Sequence, residues 1–224
     1  MNDSHHALCR ASARHGRGRS EHPVDDIFTT WRSWTDARAA LEADGPLEGP
    51  VLERLDDAAD AAARWHGDQR RPTGVPYVEH LLEALEAAVR GAGVTDPDVL
   101  AAVLLHDTVE DTDATVADVQ ERFGPRVAEL VDWVTMPSTD GMGRQARRAA
   151  KTAYLRRLRD APPEAQVVKL ADRVSNVQRL DRMPPDFQRR YYAETVAYIL
   201  PLAEGHPWFR AWYAAWRERF AHLR

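Results

Sequence analysis

One cysteine, Cys9, stands in a chain of 224 residues, so no intrachain disulfide braces it and the pattern suits a reducing compartment. No stretch approaches the roughly 18 consecutive apolar residues of a membrane-spanning helix, and the first residues lack the apolar core of a signal peptide. The alternation of apolar and polar residues that marks a half-buried strand is absent, and no segment repeats another. Residues 1–25 hold almost no large apolar side chain. They are rich in His, Arg, Ser and Gly and are expected to form a disordered arm, because they cannot bury enough surface to offset the entropy of ordering. What is present elsewhere suffices for a core: 44% of the residues are hydrophobic, at a length that suits one domain with an appendage. The expectation is a globular, cytoplasmic protein.

The formal net charge is −5, unevenly divided. Residues 1–143 carry 13 basic and 27 acidic side chains, whereas residues 144–224 carry 17 and 8. Such a split suits cations held by the acidic half and anions met by the basic half, although ordinary solvated surface explains much of it. Nucleic-acid binding has little support. The arginine-rich arm has no interleaved aromatic residues.

A short amphipathic piece around Trp31, Trp34 and Leu41 ends at Gly45, Pro46, Gly49 and Pro50. From residue 51 the spacing is helical. Val51, Leu55, Ala58, Ala62 and Trp65 share one stripe, and Val78, Leu81, Leu82, Leu85 and Val89 share another that Gly91 and Gly93 close. An apolar run at 99–105 leads into His106. Thr115 and Asp118 have capping-box spacing, and Gly124 with Pro125 ends that helix. Further helices are expected at 125–135, 144–159, 164–182, 187–203 and 207–222. In the last, Trp208, Trp212 and Trp216 fall on one line, which is core packing or, failing that, the place to seek a homo-oligomer interface. The sum is an all-α bundle of about eight to ten helices over 51–205. A short helical extension at 26–50 precedes it, and a C-terminal helix at 206–224 packs on the same domain.

The densest chemical signal is LLHDTVEDT at 104–112. His106 and Asp107 set an imidazole beside a carboxylate, a mixed pair suited to a divalent metal. Glu110 and Asp111 follow four residues later, one helical turn along the same face. Polar groups gathered at the end of an apolar run are costly unless they serve a site or face solvent, and a frayed helix end is the plain alternative. Two further segments strengthen the signal. At 64–85, RWHGDQRRPTGVPYVEHLLEAL, a polar loop with Arg70 and Arg71 leads into a helix that bears His80 beside its apolar stripe. At 167–183, VVKLADRVSNVQRLDRM, Asp172 interrupts an apolar face and needs a partner, for which a metal is one candidate. Asn176 lies one turn later, and Lys169 is placed to hold the site's carboxylates.

Together the three segments resemble the HD hydrolase domain of the Rel/Spo-type stringent-response enzymes, above all its stand-alone form, the small alarmone hydrolases of metazoan SpoT type. The resemblance runs from about residue 51 to about 205. It rests on H-x-x-Q-x-R-x-x-G-x-P-Y-x-x-H, L-L-H-D-T-V-E-D-T and V-K-L-A-D-R-x-x-N, in that order. It implies a mononuclear metal site with His80, His106, Asp107 and Asp172 as ligands, usually of Mn²⁺. It implies Glu110 and Asp111 as the acidic pair that activates and positions water, and Asn176 as a nucleotide contact. Arg71 matches the first residue of an Arg-Lys pair that packs on the guanine. The second residue is Pro72 here, with Arg70 the nearest replacement, and His-Leu at 80–81 stands where the family usually reads His-Pro.

The implied reaction removes the 3′-pyrophosphate of ppGpp or pppGpp and leaves GDP or GTP. A metal held by two His and two Asp leaves positions for water and a phosphate oxygen, and a neighbouring carboxylate can accept or orient the water's proton. Pro72 keeps an alternative open, the same site acting on (p)ppApp or on the 2′-phosphate of NADPH. A catalytically inactive regulator is the other alternative, against which the full ligand set speaks. The anionic substrate gives the basic half a use. Arg144, Arg147, Arg148 and Lys151 form one helical ridge after a turn-rich loop at 137–143. Arg190 corresponds approximately to a phosphate-binding arginine of the stand-alone hydrolases. Lys151 and Arg190 are the expected contacts to the distal phosphates. The roughly twenty residues after 205 are too few for a synthetase domain.

Overall fold

Caps and prolines set the helix boundaries in the computed structural model, which describes residues 24, 27–45 and 47–224. The expected arm at 1–25 lies, apart from Val24, outside the described residues. An extended segment, 27–33, leads into α1 (Trp34–Asp44). This helix starts at Ser33, whose hydroxyl accepts the Asp36 N–H, and stops at Gly45, whose φ of 71° is a conformation glycine adopts without strain. α2 (Gly49–His66) buries Leu55, Ala58 and Ala62 of the expected stripe. α3 (Val78–Glu86) continues into a π-helical turn, Ala87–Gly91. Only glycine fits at its end, because a Cβ on Gly91 would lie 2.5 Å from the Trp208 ring.

α4 (Pro97–Leu105), capped by Asp96, buries every side chain from Val99 to Leu105. A helix apolar on all sides belongs at the centre, and α4 is packed on α2, α3, the later α7 (Pro125–Val134) and α9 (Pro163–Val177). Between them come the single turn α5 (Thr108–Asp111) and α6 (Val116–Phe123), which opens with the expected Thr115–Asp118 capping box. The remaining helices are α8 (Arg144–Arg157), α10 (Pro185–Glu194) and α11 (Pro207–Arg219). Among the described residues no strand occurs beyond a single bridge between Arg70 and Pro76. The all-α expectation holds.

Two helices are shorter than their spacing predicts. The expected 164–182 ends at Val177, with a 3₁₀ turn at Leu180–Arg182, ahead of Pro184 and Pro185, which no helix interior tolerates. The expected 187–203 breaks into α10, a π-helical turn at Thr195–Ile199 and a 3₁₀ stretch at Leu200–Gly205. Pro201, without an N–H, removes one of the bonds that would have continued it.

α11 is clamped onto α9. The Trp216 indole donates to the Val177 carbonyl at 3.0 Å and the Tyr213 hydroxyl to the Leu170 carbonyl at 2.8 Å. Trp212 and Trp216 are fully buried, so the tryptophan line is core packing and those two rings are not available to a second copy. The segment 27–33 joins the same core. The Gln178 amide brackets Phe28, accepting its N–H at 2.9 Å and donating to its carbonyl at 3.2 Å.

Candidate metal centre

Three packed helices converge on one point. α3 brings His80, α4 ends at His106, the step into α5 carries Asp107, and mid-α9 supplies Asp172. The two imidazole Nε2 atoms are 3.1 Å apart. Their protons are assigned by the opposite nitrogens. His106 Nδ1 lies 2.8 Å from the Val103 carbonyl, which can only accept, so that nitrogen carries the hydrogen. His80 Nδ1 lies 2.8 Å from the Ser175 hydroxyl, whose own proton goes to Glu83 at 2.6 Å, so His80 Nδ1 is again the donor. Both Nε2 lone pairs therefore face each other. That arrangement is repulsive unless a cation or a proton lies between them.

The carboxylates complete the set. Asp107 Oδ2 lies 3.3 Å and 3.1 Å from the Nε2 atoms of His80 and His106, and Asp172 Oδ1 lies 3.4 Å and 3.6 Å from them. Ligand atoms of His80, His106 and Asp172 are all within 4.8 Å of one another. Burial opposes charge on His106, but Asp107 and Asp172 outweigh it and raise its pKa well above the ordinary value. Burial likewise works against the two carboxylates. His106 nevertheless holds Asp107, and Lys169 with His106 holds Asp172, well below the usual range. Two imidazoles and two ionised carboxylates around one point are a fitting donor set for a divalent first-row ion.

The surrounding ring fixes these groups. Lys169 Nζ pairs with Asp172 at 2.8 Å, and the Asn176 amide donates to the same carboxylate at 2.5 Å. The Tyr77 hydroxyl meets both Asp107 and Asp111, the latter at 2.7 Å. Glu110 accepts the Met136 N–H at 2.9 Å. The protein mass around Glu110 desolvates it and lifts its pKa, although the side chain stays open to solvent. Tyr77, Ser175 and Glu83 are the participants that sequence reasoning missed. Each lies three residues from His80 or Asp172, a spacing that puts it near the site without saying what it meets there.

The expected substrate contacts separate. Arg71 lines a cavity of about 250 Å³ together with Asn176. Its guanidinium meets Glu83 at 2.9 Å and the Asn176 side chain at 3.5 Å. Arg70 does not line that cavity: it is exposed and donates back to the Gly74 carbonyl at 2.8 Å, closing its own loop. Lys151 pairs with Glu194 at 2.6 Å, a carboxylate that Arg173 also holds at 2.8 Å. Arg190 is exposed and lies over the Phe187 ring. Arg144, Arg147 and Arg148 are exposed.

A family model described as HD domain matches residues 58–206. The chain belongs to the HD-domain family. Relatives of this HD-domain chain include the Homo sapiens protein named guanosine-3′,5′-bis(diphosphate) 3′-pyrophosphohydrolase MESH1. It is 40% identical over 140 residues, 62% of this chain and 75% of that one. The Aquifex aeolicus guanosine-3′,5′-bis(diphosphate) 3′-pyrophosphohydrolase is 37% identical over 155 residues, which cover 67% of this chain and 21% of that longer protein. A solved structure, described as a metazoan ortholog of SpoT that hydrolyzes ppGpp and plays a role in starvation responses, matches with a TM-score of 0.63 and 28% identity. The match covers 74% of this chain and 95% of the other.

Proposed function

We propose that this HD-domain chain hydrolyses the 3′-pyrophosphate of ppGpp and pppGpp, yielding GDP or GTP and pyrophosphate. One observation carries the reading: His80, His106, Asp107 and Asp172 converge beside a cavity walled by Arg71 and Asn176. The names of the human and Aquifex relatives support the substrate. We assign the four converging residues as ligands of one Mn²⁺. Bound there, the ion would lower the pKa of a water and neutralise charge on the phosphoryl group.

The chain's own residues supply the remaining steps. Glu110, with its raised pKa, is suited to take a proton from the attacking water, and its bond to the Met136 N–H fixes its direction. Asp111, held by the Tyr77 hydroxyl, orients that water. The water oxygen bonds to the phosphorus carried by the nucleotide's 3′-oxygen, and that phosphorus–oxygen bond breaks. Pyrophosphate leaves, and the 3′-oxygen takes up a proton to become a hydroxyl. Arg71 and Asn176 hold the nucleoside, while Lys151 and Arg190 meet the distal phosphates.

We take 51–205 as the hydrolase domain, with the flanking helices packed on it, and place its work in the cytoplasm. A lone cysteine and a nucleotide substrate support that location. No helix among the described residues is long and apolar enough to cross a membrane. The test is turnover of ppGpp, ppApp and NADPH side by side with Mn²⁺. Release of pyrophosphate from ppGpp is expected, and inertness toward ppGpp would overturn the reading.

A further inference from the structure

We propose that the segment before α1 forms a wall of the nucleotide cavity, and that Arg32, together with Arg179 and Arg182, makes this cavity select guanine over adenine. The proposal rests on the hydrolase reading for what occupies the cavity. Arg71 and Asn176 line one part of it, and Thr29, Arg32, Arg179 and Arg182 line another. Thr29 and Arg32 precede the family match at 58–206, yet they are held firmly in place. The Gln178 amide brackets Phe28 on both sides. The Thr30 N–H donates to Glu86 at 3.1 Å. Trp31 is buried, with the Arg90 guanidinium 4.9 Å from its ring centre. Arg32 itself pairs with Glu79, the residue before the ligand His80.

The charges on this wall do not cancel. The two glutamates of the lining are already matched, Glu79 by Arg32 and Glu83 by Arg71. Neither Arg179 nor Arg182 has a carboxylate partner among the described residues. Arg179 reaches only the Thr29 hydroxyl, at 3.4 Å, and both guanidinium groups line the cavity. Guanidinium N–H groups only donate, so a ligand that meets them must bring acceptors. A guanine edge offers two, O6 and N7, the pair that arginine reads best, whereas adenine presents an N–H donor where guanine has O6. Val75 and Met183 give the cavity its apolar contacts for a base. The family's second basic residue is missing at Pro72. Here the unmatched positive charge arrives from the end of α9, and Arg32, paired with Glu79, brings further N–H donors from the segment before α1.

The full-length, Mn²⁺-loaded protein and its Arg32→Ala and Arg179→Ala variants test this by two readouts. Calorimetric titration with GDP and with ADP reads base selection without turnover, and steady-state kinetics compare ppGpp with ppApp. Wild type is expected to bind GDP more tightly than ADP. Each variant is expected to lose about tenfold in GDP affinity and to raise the ppGpp KM about tenfold, with ADP affected far less and kcat moved little. Arg179→Lys, which keeps charge but not the planar fork, should restore part of the affinity and little of the selectivity. Arg32 is 59% exposed in its side chain, so its variant reports even if Arg179→Ala fails to fold. An unchanged GDP-to-ADP ratio in both variants, or in Arg32→Ala alone where Arg179→Ala does not fold, overturns the proposal, as does a wild type without base preference. A protein that prefers GDP but leaves ppGpp intact would overturn the hydrolase reading and leave this wall standing.

Discussion

Replacing Ser175 by alanine tests the hydrogen bond that orients His80, one of the proposed metal ligands. Ser175 is buried, 5% exposed, and its hydroxyl does two things at once. It accepts from His80 Nδ1 at 2.8 Å and donates to Glu83 at 2.6 Å. Alanine removes both bonds and puts an apolar methyl group where the acceptor oxygen stood. Glu83 keeps Arg71 as a partner at 2.9 Å, so its loss is partial. His80 Nδ1–H is left buried without an acceptor, which costs about 1–3 kcal/mol. The metal-free protein should therefore lose roughly 2 kcal/mol of stability. The larger effect falls on the ligand. Without its outer hydrogen bond the ring is free to change tautomer, and removal of such a partner typically weakens metal binding about 10–100-fold, or roughly 1.4–2.7 kcal/mol. Competition titration against a fluorescent chelator measures the Mn²⁺ affinity, and thermal melts with and without Mn²⁺ separate it from the stability change. An affinity within twofold of wild type would show that Ser175 does not set the His80 tautomer.

Asp172→Ala should abolish both metal binding and turnover, measured by metal analysis of the dialysed protein and by pyrophosphate release. It also strands the buried Lys169 ammonium, so its metal-free stability should fall by about 3–5 kcal/mol; retained stoichiometric metal would sink the ligand assignment. Glu110→Gln should keep the metal and lose about 10²–10⁴-fold in kcat, and full activity in that variant would remove Glu110 from the proton-transfer role. Glu194 gives a pH signature. Burial pushes its pKa up, but Arg173 and Lys151 more than reverse this and hold it below its ordinary 4.5. A depressed carboxylate stabilises the fold fully above that ordinary value, and the stabilisation disappears as pH falls through the folded value. Melting temperature against pH should thus drop below about pH 4.5 more steeply in wild type than in Glu194→Gln, and superimposable acid limbs would contradict the pairing.

Much of the bundle is legible in local pattern, and the parts that are not depend on distant partners. α4 reads as central because it is apolar on every side, and α6 because Thr115 and Asp118 cap it locally. The broken stretch beyond α10 follows from Pro201, visible in the sequence, yet periodicity alone runs through it and through the break after Val177. The four residues proposed as ligands stand in motifs, and the structure brings them together. Tyr77 and Ser175 were not legible as partners, because nothing in their own segments says that a hydroxyl will meet Asp107 or His80 across the bundle. Adjacent arginines divide for a reason of backbone geometry. Arg70 sits in the bridge with Pro76, and successive side chains in extended backbone point to opposite sides, so only Arg71 turns to the cavity. The docking of Phe28 on Gln178 spans 150 residues of chain, a distance over which no spacing rule speaks.

α9 is grasped from both sides, by Phe28 through Gln178 and by the α11 residues Tyr213 and Trp216 through its carbonyls. Asp172 is therefore seated by two segments far from it in the chain, one before α1 and one in α11. A substitution at Phe28 or Trp216 that cost the protein its Mn²⁺ would trace to the seating of α9 and not to the donor atoms themselves.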